Sequence, residues 1–102
     1  MIIAKIIGSV VATQKAVSLV GQKLLVIEPY RLNSDRTGMI STSRTMVAVD
    51  TVGSGEAEFV LVVLGSAARL TPESNKLPTD ATIVGIVDSI HIGNQKVTLG
   101  TN

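Results

Sequence analysis

The sequence contains no cysteine, no tryptophan and a single histidine. The first absence excludes disulfides, thiolate metal sites and cysteine nucleophiles. The lone His91 excludes, within one chain, any metal site or dyad that needs a pair of imidazoles. Aromatic residues are reduced to Tyr30 and Phe59, too few for the stacking platforms on which single-strand nucleic-acid binders hold successive bases. Charge of one sign is lacking too. Nine basic and eight acidic side chains leave a formal charge of +1, so no strong field invites a polyanion. Long apolar runs are missing: the longest spans Phe59 to Leu64, far short of the roughly 20 residues a spanning helix needs. Lys5 interrupts the apolar start Met1-Ile2-Ile3-Ala4 too early for a signal peptide. The expectation is a soluble, intracellular protein with no membrane partner and no nucleic-acid partner.

What the chain does have is branched aliphatic density. Its 102 residues suffice for one domain, residues 1–102, and leave no room for a second core. Apolar residues make up 45% of it, which excludes disorder. Fourteen valines, ten isoleucines and ten threonines, a third of the chain, favour pleated sheet, because side chains stiff at χ1 pack well on it. Strands are expected at Ile2 to Thr13, Lys23 to Glu28, Met46 to Val52, Glu58 to Leu64 and Ala81 to Asp88, the last continuing as Ser89 to Ile92. Gly8 inside the first marks a bulge or a barrel corner. Pro29 ends the second or pushes it to an edge. Gly93-Asn94 is a two-residue hairpin signal, with Lys96 to Leu99 returning. Gln14 to Gly21 and Thr71 to Thr79 read as loops, and the polar stretch Arg31 to Thr45 as an exposed loop or hairpin tip. One short helix is expected from Gly65-Ser66-Ala67-Ala68-Arg69, with Ser66 as its cap and Pro72 as its stop. The fold class is therefore all-β: a small five-stranded OB-like barrel with one short helix and an extra C-terminal hairpin.

Chemistry-bearing motifs are weak. Gly53-Ser54-Gly55 beside Asp50 fails as a dinucleotide fingerprint, since Glu58 stands where the third glycine belongs and a strand follows, so it reads as a tight turn. Ser66 lacks a base near it in sequence. Glu56 and Glu58, two apart, would share one face of an extended strand, and with Asp50 and Asp88 they supply carboxylates without a cleft. Arg31, Arg36 and Arg44 make the polar loop basic and read as solvated. His91, between Ile90 and Ile92, points away from their face. No catalytic, metal-binding or cofactor-binding residue is expected. Two features instead suggest a subunit interface: the strand Phe59 to Leu64 has no polar face, and Gly65 to Ala68 is a run of small residues.

Ordered blocks carry a resemblance. Ala4 to Lys15 contains a Gly-x-Val-Val-x-Thr core at Gly8 to Thr13. Leu19 and Gly21 to Val26 form a second block, and Val47 to Gly55 is similar to Val-Ala-x-Asp-x-Val-Gly-Ala-Gly, with Ser54 in place of the usual alanine. Glu58 to Val62 resembles Glu-Trp-Val-Leu-Val with Phe59 for tryptophan; Gly65 to Arg69, Asp80-Ala81 and Ile83 to Asp88 complete the series. Over Met1 to Asp88 the chain resembles the EutN/CcmL family of bacterial microcompartment vertex proteins. The resemblance implies an OB-like barrel that assembles as a homopentamer, caps the corners of a polyhedral shell of hexagonal shell proteins in a carboxysome or metabolosome, and lies in the cytoplasm. It implies a structural protein with no catalytic residues, and leaves Arg31 to Thr45 and Ser89 to Asn102 outside the family pattern. In such a ring the turn Gly53, Ser54, Gly55 and Glu56 is expected at the fivefold axis. Gly65, Ser66, Ala67, Ala68 and Arg69 are expected at the subunit boundary, with Arg69 paired across it to Glu56 or Asp50. The rival from composition is an OB-type binding module for single-stranded nucleic acid or another ligand, against which the neutral charge and scarce aromatics stand.

Overall fold

Eight strands account for most of the residues described in the computed structural model, which are 1–13, 23–65 and 80–99. They are β1 (Ile2–Val10), β2 (Lys23–Leu32), β3 (Met39–Ser41), β4 (Met46–Asp50), β5 (Phe59–Leu64), β6 (Ala81–Val87), β7 (Ile90–Ile92) and β8 (Gln95–Val97). β1 pairs antiparallel with both β2 and β5; β5 pairs antiparallel with β6, β6 parallel with β4, and β4 antiparallel with β2. The ring β1-β5-β6-β4-β2 therefore closes, as the density of β-branched residues predicts, and no wall strand is left with an open edge. The loops at Gln14 to Gly21 and Thr71 to Thr79 and the helix from Ser66 lie outside the described residues, and no α-helix occurs among those described.

The barrel is filled by one face of each wall strand. Ala4, Ile6, Leu25, Ile27, Ala48, Val60, Val62, Ala81 and Ile83 form the buried interior, with Ile2, Met46 and Leu64 packed at its edge. The two-residue period makes this unavoidable: residues i and i+2 share a face, so a run such as Phe59-Val60-Leu61-Val62-Val63-Leu64 sends Val60, Val62 and Leu64 inward and the others out. Gly8 does mark a bulge. Ile6 faces Ile27 and Gly8 faces Val26, which leaves Ile7 as the extra residue on β1.

Several boundaries differ from expectation. β1 stops at Val10 rather than Thr13, and β4 at Asp50 rather than Val52. β2 runs through Pro29 to Leu32. On one side it pairs with β4 only as far as Ile27 and with β3 only from Tyr30, so Pro29 stands where the partner changes. Its carbonyl there accepts from Thr42 N–H at 3.1 Å, and its missing N–H interrupts no ladder. Consequently Arg31 to Thr45 is not merely a loop: Tyr30 to Leu32 and Met39 to Ser41 form a hairpin arm. Finally, Asp88 and Ser89 break the last expected strand, and Ile90–Ile92 pairs instead with Gln95–Val97 across Gly93-Asn94, as the hairpin signal predicts.

That terminal hairpin and the β2–β3 arm meet. Thr98 N–H donates to the Thr37 carbonyl at 2.9 Å and Met39 N–H donates to the Thr98 carbonyl at 3.2 Å, a parallel bridge between Gly38 and Thr98. Beneath them lies a second apolar cluster outside the barrel: Tyr30, Met39, Phe59 and Val97, flanked by Ile3, Leu32, Val87, Ile90, Ile92 and Leu99. Tyr30 and Phe59 meet edge to face with centroids 5.0 Å apart.

Candidate assembly surfaces

The turn at residues 53–56 is braced from below by Asp50. Its carboxylate, 1% exposed, accepts Val52 N–H at 3.1 Å and Ser54 N–H at 2.8 Å, and Lys23 Nζ stands 3.9 Å from it. Lys23 also donates to the Ser54 carbonyl at 2.7 Å, tying β2 to the turn. Gly53 takes a left-handed conformation with φ +76°, which glycine adopts without strain. Glu58 Oε1 accepts Gly55 N–H at 2.6 Å. Ala57, also left-handed with φ 72°, donates its N–H to the Ile6 carbonyl. The chain from Glu56 to Glu58 is thus a turn and not an extended segment, so these carboxylates do not share a strand face as the spacing suggested. Glu56 is exposed, whereas Glu58 folds back to hold Gly55. Ser54 is fully buried and its Oγ has no hydrogen-bond partner among the described residues. Of the turn, Gly53, Gly55 and Glu56 reach the surface.

Asp50 is engaged within the protomer, which leaves Glu56 as the exposed carboxylate of the two proposed for Arg69. Gly65 follows β5 with φ +62° and donates its N–H to the Asp80 carbonyl at 2.8 Å. Ser66, Ala67, Ala68 and Arg69 lie outside the described residues.

The outer face of β5 is apolar and half-covered. Leu61 and Val63 point away from the interior, and Leu61 packs over Gly85 of β6, where an added Cβ would sit 3.6 Å from the leucine side chain. Leu61 is shared by two shallow grooves. One, of about 420 Å³, includes Met1, Ile3, Tyr30 and Met39; the other, of about 430 Å³, includes Ile86 and Ile90. On the far side of the ring, across the β2–β4 pair, a second apolar surface carries Val26, Val47 and, on the neighbouring bulge, Ile7. Val47 is 48% exposed and Ile7 40%. This second wall was missed in the sequence, although its signal was present: Met46 and Ala48 fill the barrel, so Val47 between them must face out. His91 is exposed, as its alternation with Ile90 and Ile92 predicts.

The same chain pattern recurs in known proteins. The model of the family described as "Ethanolamine utilisation protein EutN/carboxysome" matches residues 1–88. The bacterial microcompartment shell vertex protein GrpN of Rhodospirillum rubrum is 44% identical over 94 residues, 92% of this chain and all of that one. The carboxysome shell vertex protein CcmL of Nostoc is 39% identical, covering 95% of this chain and 92% of the other. Among solved structures, that of Nostoc CcmL superposes with a TM-score of 0.81, covering 94% of this chain and 96% of that one at 39% identity. The structure described as a pentameric microcompartment shell protein, GrpN, does so with 0.74, covering 91% and 100% at 43% identity. Blocks that run in order from the bulged first strand to the sixth, on a ring of strands shared with these structures, make the chain a member of the EutN/CcmL family.

Proposed function

We propose that five copies of this chain close into a ring that forms a vertex of a bacterial microcompartment shell in the cytoplasm, seated among hexagonal shell proteins. The observation that carries the proposal is the pair of unlike apolar walls on opposite sides of one rigid barrel. A ring that closes head to tail needs two different patches per protomer, each complementary to the other, and a protein working alone has no use for either. The β5 wall, with Leu61 between two grooves, receives; the wall of Ile7, Val26 and Val47 inserts. The curated relatives are shell vertex proteins, so the role is structural, without catalysis or cofactor. The rival reading as a single-strand nucleic-acid-binding module has no observation in its favour.

Within the ring we place the turn Gly53 to Glu56 around the fivefold axis, with Glu56 outermost and Ser54 turned into its own protomer. Gly65, Ser66, Ala67, Ala68 and Arg69 are assigned to the subunit boundary, where small side chains permit close approach and Arg69 pairs with Glu56 of the neighbour. Light scattering coupled to size exclusion is expected to give five times the protomer mass at micromolar concentration. Val47→Glu and Ala67→Glu are each expected to give smaller species. A monomeric mass for the unmodified chain would remove the proposal, and intact pentamers from both variants would remove the assigned boundary.

A further inference from the structure

We infer that one mouth of the barrel is a binding site for a carboxylate carried on a short apolar body. The mouth is a groove of about 690 Å³. It divides chemically into floor and rim. Ile2, Met46 and Leu64 are the edge of the barrel's own interior, and with Pro29 they make an apolar floor. The rim carries the guanidinium groups of Arg31 and Arg44 and the hydroxyls of Ser41, Thr42 and Thr45 and, among the described residues, no carboxylate. Among the described residues neither Arg31 nor Arg44 is paired with an acid; the sole ion pair there is Lys23–Asp50. Arg31 makes only a long 3.4 Å contact to the Leu32 carbonyl.

The hydroxyls are not equivalent. Thr42 donates to the Pro29 carbonyl at 2.8 Å, so its proton is committed. Ser41 Oγ accepts from Ser43 N–H at 2.9 Å, which leaves its own proton to give. Ser43 holds a left-handed φ of 60°, and this bend turns the chain from Ser41 to Thr45 along the rim. Planar guanidinium forks match an oxyanion bidentately, and two like charges at one mouth with no counter-charge favour an anion over a neutral guest. The apolar floor selects, among anions, one with hydrocarbon attached. The mouth lies at the end of β4 and β5 away from the Gly53–Glu56 turn, since Met46 and Leu64 line it while Asp50 and Phe59 adjoin the turn. It is built from one protomer, so the inference stands independently of the ring.

Backbone amide NMR of the full chain, titrated in parallel with hexanoate, neutral hexanamide and inorganic phosphate, tests it. Hexanoate is expected to shift Arg31, Ser41, Ser43, Arg44 and Thr45 with millimolar affinity, and hexanamide and phosphate to bind about tenfold more weakly or not at all. Arg31→Gln and Arg44→Gln are each expected to weaken hexanoate about tenfold while leaving the oligomeric mass unchanged. The map on the unmodified chain decides the matter even if a variant fails to fold. No response to hexanoate, shifts confined to other residues, equal response to hexanamide or phosphate, or unchanged affinity in both folded variants would each overturn the inference.

Discussion

At the scale of single residues, the turn at 53–56 shows how a polar group can brace and another can strain the same few atoms. Asp50 satisfies two backbone N–H groups from a buried position and keeps Lys23 beside it. Asp50→Ala leaves those donors without an acceptor and is expected to destabilise the chain by about 3 kcal/mol, read by urea denaturation. Ser54 is the opposite case. Its hydroxyl is buried with no partner among the described residues, and leaving such a hydrogen bond unmade costs about 1–3 kcal/mol. Ser54→Ala is therefore expected to raise the unfolding midpoint. A lowered midpoint would mean that the hydroxyl has a partner in the assembled state. Spacing alone did not expose this arrangement. Asp50 two residues before a Val-Gly-Ser-Gly run is an Asx-type brace, a signal that was available but was read as one carboxylate among several. Glu58 was legible as acidic, but its return to Gly55 depends on the left-handed Ala57, and an alanine gives no warning of that conformation.

At the scale of elements, alternation and punctuation made the barrel walls legible: Gly8 gave the bulge, Gly93-Asn94 the terminal hairpin, and the apolar run after Glu58 the wall strand with no exposed residue. What escaped was pairing that local pattern does not encode. Pro29 looked like a stop because its missing N–H matters only if a partner sits opposite, and the change of partner from β4 to β3 is a property of the whole sheet. The arm lies within the family match of residues 1–88 and the tail follows it, and no local signal in either announces the other. They are one layer: Val97 is fully buried against Tyr30, Met39 and Phe59, and the Gly38–Thr98 bridge fastens its edge. Val97→Ala is expected to cost about 2 kcal/mol through lost burial and the void left behind. Removal of residues 89–102 is expected to expose the Tyr30–Phe59 pair and to increase binding of a hydrophobic dye while β1, β2, β4, β5 and β6 keep their far-ultraviolet signal. Unchanged dye binding would show that the layer does not cover this cluster in solution.

At the scale of the whole molecule, the seams of the ring are unequal. β1 faces β2 at seven positions, whereas the parallel seam between β4 and β6 rests on Val49 opposite Thr82 and Asp50 opposite Ile83, with Thr51 Oγ1 donating to the Ile83 carbonyl at 2.7 Å. Its partners lie more than thirty residues apart in the chain, so closing it costs loop entropy for fewer paired positions than any other seam of the ring. The barrel is in this sense a rolled ribbon with a short clasp. The clasp is expected to be the last part to form on refolding and the first to open in amide hydrogen exchange, with Thr82 and Ile83 trading their hydrogens before Leu24 and Leu25. A wall that can part along one defined line while the remaining strands stay laced would bend without tearing.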